Sequence, residues 1–184
     1  VIAPKFVTNY EKTYYTDWHW NTTSWKWGMQ SYNSPLGESV SSFQVIDSIL
    51  SKLSNKQLFR QLSDVIITGH SSGAAFVHMF SFSKVNNYFK ELNIHFAIVN
   101  NQYVTHPEPT RMHPNGSLAI LDDCDGYNDW PYGLENLNPY MDLIGEINAK
   151  NNFISNKVDY FIAEDDRDPD GITSGCQYET LGAN

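Results

Sequence analysis

The chain has 184 residues, about one domain's length and enough to bury a core without help from disulfides. Its 41% hydrophobic and 14% aromatic content is globular and excludes a disordered or collagen-like chain. Twelve basic against 21 acidic residues leave a net charge of −9. With no Lys/Arg cluster to interrupt that deficit, nucleic acid and anionic membranes are poor partners, whereas small-molecule or polymeric neutral substrates fit.

The longest apolar runs fall far short of the ~18 residues a membrane helix needs, so no membrane insertion is expected. Val1 to Ala3 form a short apolar run stopped by Pro4 and read as the end of a buried strand, followed by an aromatic-rich irregular stretch to about Gly37. Phe43, Ile46, Ile49, Leu50 and Leu53 then recur at helical spacing, with Ser41 or Ser42 as N-cap. Asp64 to Thr68 is a β-branched run of the kind that fills a parallel strand buried on both faces, and Gly69 ends it. Ser72 to about Lys84 reads as a helix packed close to a sheet, and Ile94 to Val99 repeats the buried-strand pattern. Strand, helix, strand makes one βαβ unit. Asn138-Pro139 opens a further helix through about Ile147, and Val158 to Ala163 supplies another strand. The alternation predicts an α/β fold, a mostly parallel sheet covered by helices. The first residue is not methionine and the last residues close no recognisable element. Residues 1–184 are therefore expected to be one partial domain, cut at both ends.

Between the 64–68 strand and the 72–84 helix lies Gly69-His70-Ser71-Ser72-Gly73, a G-x-S-x-G sequence in the strand–turn–helix context that gives it a mechanism. A serine at the apex of such a turn is held in a strained conformation, and flanking glycines let strand and helix approach. The Ser71 hydroxyl then stands clear of the sheet, and the Ser72 amide at the helix N-terminus points at a developing oxyanion. The plainer alternative is a turn whose small residues merely permit packing.

The blocks VIAPKF, TGHSSGAAFVHMF, FAIVNNQYV, GYNDWPYGLENLNPYM and VDYFIAEDDRDPD resemble the α/β-hydrolase superfamily, and within it a group of serine-esterase-like hydrolases. The resemblance implies that Val1 to Ala3 are the sheet's third strand and that Ser71 is the nucleophile. It also implies oxyanion amides from Ser72 and from the loop after that strand, at Phe6 or Lys5. The acid follows a later strand: Asp166 is the first choice, with Asp165 and Asp168 as rivals. In this fold the chain order is Ser, acid, His, yet the last histidine, His113, precedes Asp166. His70 lies within the turn and His78 on the helix behind it as a structural histidine. His106 and His113 lie in the Pro-rich HPEPTRMHP loop and are internal candidates for the base. The simplest account places the base beyond Asn184.

Asp166-Arg-Asp168-Pro-Asp170-Gly171 matches the opening of a calcium loop, but Gln177 stands where the bidentate Glu belongs. No His/Cys spacing suggests zinc, so neither metal nor cofactor is expected. Trp18, Trp20, Trp25 and Trp27 crowd one stretch. With Tyr103 and His70 they offer contacts to a sugar ring, aryl group or acyl chain, or else form a hydrophobic cluster pinning a long loop. Cys124, Cys176 and the sequons Asn21-Thr-Thr23 and Asn115-Gly-Ser117 point to a secreted or extracytoplasmic address, with the two cysteines expected to be bonded or close. The leading expectation is a serine esterase working through an acyl-enzyme. A catalytically silent binding protein that uses the aromatic loop is the alternative, and a calcium-stabilised secreted interaction domain is the third.

Overall fold

The computed structural model describes residues 1–8, 18–32, 37–83, 89–101, 104–112, 115–122 and 124–165. Helix α1, Ser42–Leu53, starts where the sequence sets a double cap. The Ser41 hydroxyl accepts the Phe43 N–H at 3.1 Å, while the Gln44 side chain accepts the Ser41 N–H at 2.8 Å. Two first-turn donors are thereby satisfied, and the stripe Phe43, Ile46 and Leu50 is buried.

Strand β1, Asp64–His70, leads through Ser71 into α2, Ser72–Phe80, and β2 follows at Asn93–Val99. A short antiparallel hairpin of β3, Arg111–Met112, and β4, Leu118–Ala119, comes next. Helices α3, Pro139–Asp142, and α4, Glu146–Ser155, then deliver the chain to β5, Lys157–Phe161. The main sheet is wholly parallel in the order β1-β2-β5. Ile94, Phe96 and Ile98 on one face of β2 join Phe43, Leu50, Phe76, Phe80 and Ala149 in one buried core.

The mixed α/β class stands, with six differences from expectation, two of them in extent: β1 runs on through Gly69 to His70, and α2 stops at Phe80 rather than near Lys84. The strands are not buried on both faces: Ile66 is 68% exposed and Phe161 55%. The topology explains this. Successive strands step in one direction, so right-handed crossovers put the intervening helices on the same face. Val1 to Ala3 form no strand and are exposed, since three residues ended by Pro4 gain no ladder partner among the described residues. The helix expected over 138–147 is two helices, because Gly145 at φ 78° breaks it and begins α4. Finally, β5 stops at Phe161 rather than Ala163. Among the described residues no helix is long and apolar enough to cross a membrane.

Candidate active site

Ser71 sits between the last residue of β1 and the first of α2, at φ 54° and ψ −117°. No L-residue adopts such angles without cost, about 1–3 kcal/mol, so the surroundings must hold them. They do so through the backbone. The Ser71 N–H donates to the Val99 carbonyl at 3.1 Å, and its own carbonyl accepts the Ala75 N–H at 3.1 Å. One end of the turn is thus tied to β2 and the other to the helix. The side chain makes no capping hydrogen bond and is half-buried. Ser72 supplies one of the first-turn amides that lack an intrahelical acceptor, at the positive end of the helix.

The two glycines of the motif do different work. A Cβ on Gly69 would lie 2.2 Å from the Gly73 carbonyl oxygen and 2.3 Å from its carbon, whereas a Cβ on Gly73 would meet nothing within 4 Å. Only Gly69 is demanded by the close approach of strand and helix.

The strand ends are laced together beside this turn. His70 pairs with Val99 and Val99 with Phe161 across the sheet. The Asn100 N–H donates to the Phe161 carbonyl at 2.9 Å, and the Asn100 side-chain oxygen accepts the Ala163 N–H at 2.9 Å. Asn100 itself is left-handed at φ 49°. The acidic segment that begins at Glu164 therefore leaves the same sheet end as Ser71, two strands across, roughly 10 Å at the usual strand spacing. Asp165 is exposed there; Asp166 and Asp168, like the calcium-loop sequence, lie outside the described residues. Asn100 was missed from sequence, although an asparagine directly after a buried strand is the residue type that tolerates this backbone.

The histidines separate clearly. His78 is fully buried on α2. Its Nε2 accepts the Thr105 N–H at 2.7 Å, which leaves Nδ1 to donate to the Tyr160 hydroxyl at 2.6 Å. Burial pushes its pKa down to about 4, so it stays neutral, and burial also pushes the Tyr160 pKa up. It is the structural histidine expected. His70 is exposed, the His106 N–H donates to the Tyr132 carbonyl at 2.9 Å, and His113 lies outside the described residues. None of the described residues hydrogen-bonds the Ser71 hydroxyl.

Phe6 packs into an aromatic cluster, stacked on Trp25 at 5.4 Å and tilted against Phe76 of α2 at 5.1 Å. Trp20 meets Phe6 edge-on at 5.4 Å and bonds the Met29 carbonyl at 3.0 Å through its indole. Trp20, Trp25 and Trp27 thus serve as packing, and only Trp18 of the four is exposed, at 42%. Tyr103 lies outside the described residues. Cys124 is buried and disulfide-bonded, and its expected partner Cys176 also lies outside them.

Two further polar groups, one buried and one half-buried, escaped the sequence reading. Arg111 is buried with its guanidinium held by the carbonyls of Glu108, Tyr127 and Tyr132 at 2.7–3.2 Å and lying 5.0 Å from the Tyr127 ring. Asp47 of α1 accepts the Tyr140 hydroxyl at 2.8 Å, and burial raises its pKa to about 6. It borders a groove of about 630 Å³ with Gln44, Phe89 and Leu143. A second groove, about 320 Å³, lies at the opposite end of the strands by Asn93 and Lys157, and neither touches Ser71. Among the described residues no group of three His, Cys, Asp or Glu could hold a metal ion. Compared with known proteins, the chain matches no family model, no curated protein and no solved structure.

Proposed function

We propose that this chain carries the nucleophile turn of an α/β-hydrolase-type serine hydrolase that cleaves a carboxylic ester of a small molecule or polymer through an acyl-enzyme. The observation that carries the reading is Ser71 at φ 54°, ψ −117° at the junction of a parallel strand and a helix. That geometry lifts a hydroxyl off the sheet beside free helix-terminal amides. In this mechanism Ser71 Oγ attacks the ester carbonyl, and the Ser72 N–H, joined by that of Phe6 or Lys5, holds the oxyanion. A histidine takes the serine proton and returns it to the leaving alcohol, and a carboxylate of the 165–168 segment, Asp166 first, orients that histidine. The placement of Ala163 by Asn100 supports the carboxylate assignment, since it starts the acidic segment at Ser71's end of the sheet. His78 is unsuited to be the base, because both its ring nitrogens are engaged and burial keeps it neutral.

The test is fluorophosphonate labelling followed by peptide mass spectrometry, with and without added imidazole to supply a base from solution. Label on the Ser71 peptide, absent from Ser71→Ala, is the expected result. Labelling of other serines at the same rate as Ser71 would refute the nucleophile assignment and favour the non-catalytic binding reading.

A further inference from the structure

We infer that Asn115, at the tip of the β3–β4 hairpin, is an N-glycosylation site whose glycan covers the apolar flank of that hairpin. The sequence supplies the acceptor Asn115-Gly-Ser117, and the fold presents it. Residues 115–118 are all exposed, and Gly116, at φ 83°, has no neighbour within 4 Å of where a Cβ would stand. The Asn115 side-chain oxygen accepts both the Ser117 N–H at 2.9 Å and the Ser117 hydroxyl at 2.8 Å. The hydroxyl that the transferring enzyme requires thus already lies against the acceptor amide, and the amide nitrogen makes no bond to the described residues.

What surrounds the asparagine gives the modification a use. Met112 and Leu118, paired across the hairpin, are 57% and 68% exposed, and Ile120 just beyond is 57% exposed. Three large apolar side chains are thus exposed along one small hairpin, and a bulky hydrophilic chain rooted between the two strands would screen them. Cys124, four residues after Ile120, is disulfide-bonded, which belongs to the oxidising compartments where this modification is made. Asn21 is the weaker acceptor: its contact to the Thr23 N–H is long at 3.4 Å, and it follows the buried Trp20.

The donor is a lipid-linked oligosaccharyl pyrophosphate. Asn115 Nδ2 bonds to the anomeric carbon as the carbon–oxygen bond to pyrophosphate breaks. The lipid pyrophosphate leaves with that electron pair, and the amide proton passes to a base of the transferase. The inference is independent of any role for Ser71.

The experiment expresses the 184-residue chain behind a cleavable leader in a eukaryotic cell. Secreted and retained protein are both digested with peptide N-glycosidase, which turns a glycosylated Asn into Asp. Peptide mass spectrometry should find Asp at position 115 only after the enzyme. Asn115→Gln and Ser117→Ala should lose one glycan-sized step on a gel, and Ser117→Thr should keep it. Binding of a hydrophobic dye should rise on deglycosylation, and Leu118→Ser should blunt that rise. Asn115 unmodified in disulfide-bonded protein would overturn the site, and dye binding unchanged by deglycosylation would overturn the covering role.

Discussion

Replacing Asp47 by Asn should make the protein acid-sensitive, because this half-buried carboxylate and the buried His78 titrate in opposition to each other. His78 is neutral when folded, with a pKa lowered by burial from 6.5 to about 4. As pH falls through 6.5, the unfolded chain takes up a proton that the folded chain refuses. Stability therefore drops by about 1.4 kcal/mol per pH unit until roughly pH 4, about 3 kcal/mol in all. Asp47 works the other way. Its carboxyl, raised by burial from 3.8 to about 6, is protonated in the folded chain before the unfolded one, so the same fall in pH returns about 3 kcal/mol. The wild-type contribution of the pair is thus nearly flat across the window. In Asp47→Asn only the His78 loss remains. Urea midpoints read by tryptophan fluorescence should fall between about pH 6.5 and pH 4 by roughly 1.5 M more than in the wild type, taking a slope of about 2 kcal/mol/M. A second variant, Asp47→Asn with His78→Phe, should lose this excess acid sensitivity despite its lower overall stability. Equal acid sensitivity of Asp47→Asn and wild type would refute the opposed-pair reasoning.

Gly69→Ala should destabilise the fold by about 1–3 kcal/mol or more, because the new methyl meets the Gly73 backbone. Gly73→Ala, in open space on a helix, should be neutral or stabilising by up to about 1 kcal/mol in thermal melts. At Asn100, Gly should be tolerated better than Ala by about 1 kcal/mol, since both lose the bond to Ala163 but only Ala is strained at φ 49°. Arg111→Met should cost about 1–3 kcal/mol in chemical unfolding, since it removes a charged donor from the part-buried carbonyls of Glu108, Tyr127 and Tyr132.

Local chemistry and the parallel pairing of β1 with β2 across α2 were legible in the sequence, whereas the buried face of each strand and the distant side-chain partners were not. The cap of α1 at Ser41 and the turn at Ser71 depend on residues a few positions apart, and the stripe Phe43, Ile46 and Leu50 carries its own periodicity. Burial of β1 on one face depends instead on the order of strands in the sheet, which the β-branched run 65–67 does not encode. The split of α3 from α4 turned on Gly145, a residue visible in sequence but outweighed by the helix-start signal of Asn138-Pro139. His78 was recognisable as structural by its place behind the nucleophile turn, yet its partners Thr105 and Tyr160 are 27 and 82 residues away. Arg111 offers no local signal, since most of its partners are backbone carbonyls that any residues could supply and its side-chain partner Asn128 lies 17 residues away.

These distant partners bear on the strained serine. Ser71 stands at unfavourable angles only because β1, β2 and α2 are fixed relative to one another. The Val99 and Ala75 bonds act at the turn itself, and the Gly69 contact sets how closely helix and strand approach. Farther along α2, His78 joins the helix to β5 through Tyr160 and to the segment after β2 through Thr105. The helix is consequently held at both ends, and neither end can relax without moving the other. His78→Phe should therefore raise hydrogen exchange at the Ser71 and Ser72 amides as well as around Thr105, although His78 lies two turns from the serine. Faster exchange confined to 104–106, with Ser71 and Ser72 as protected as in the wild type, would show that the turn keeps its geometry without the helix's far anchor.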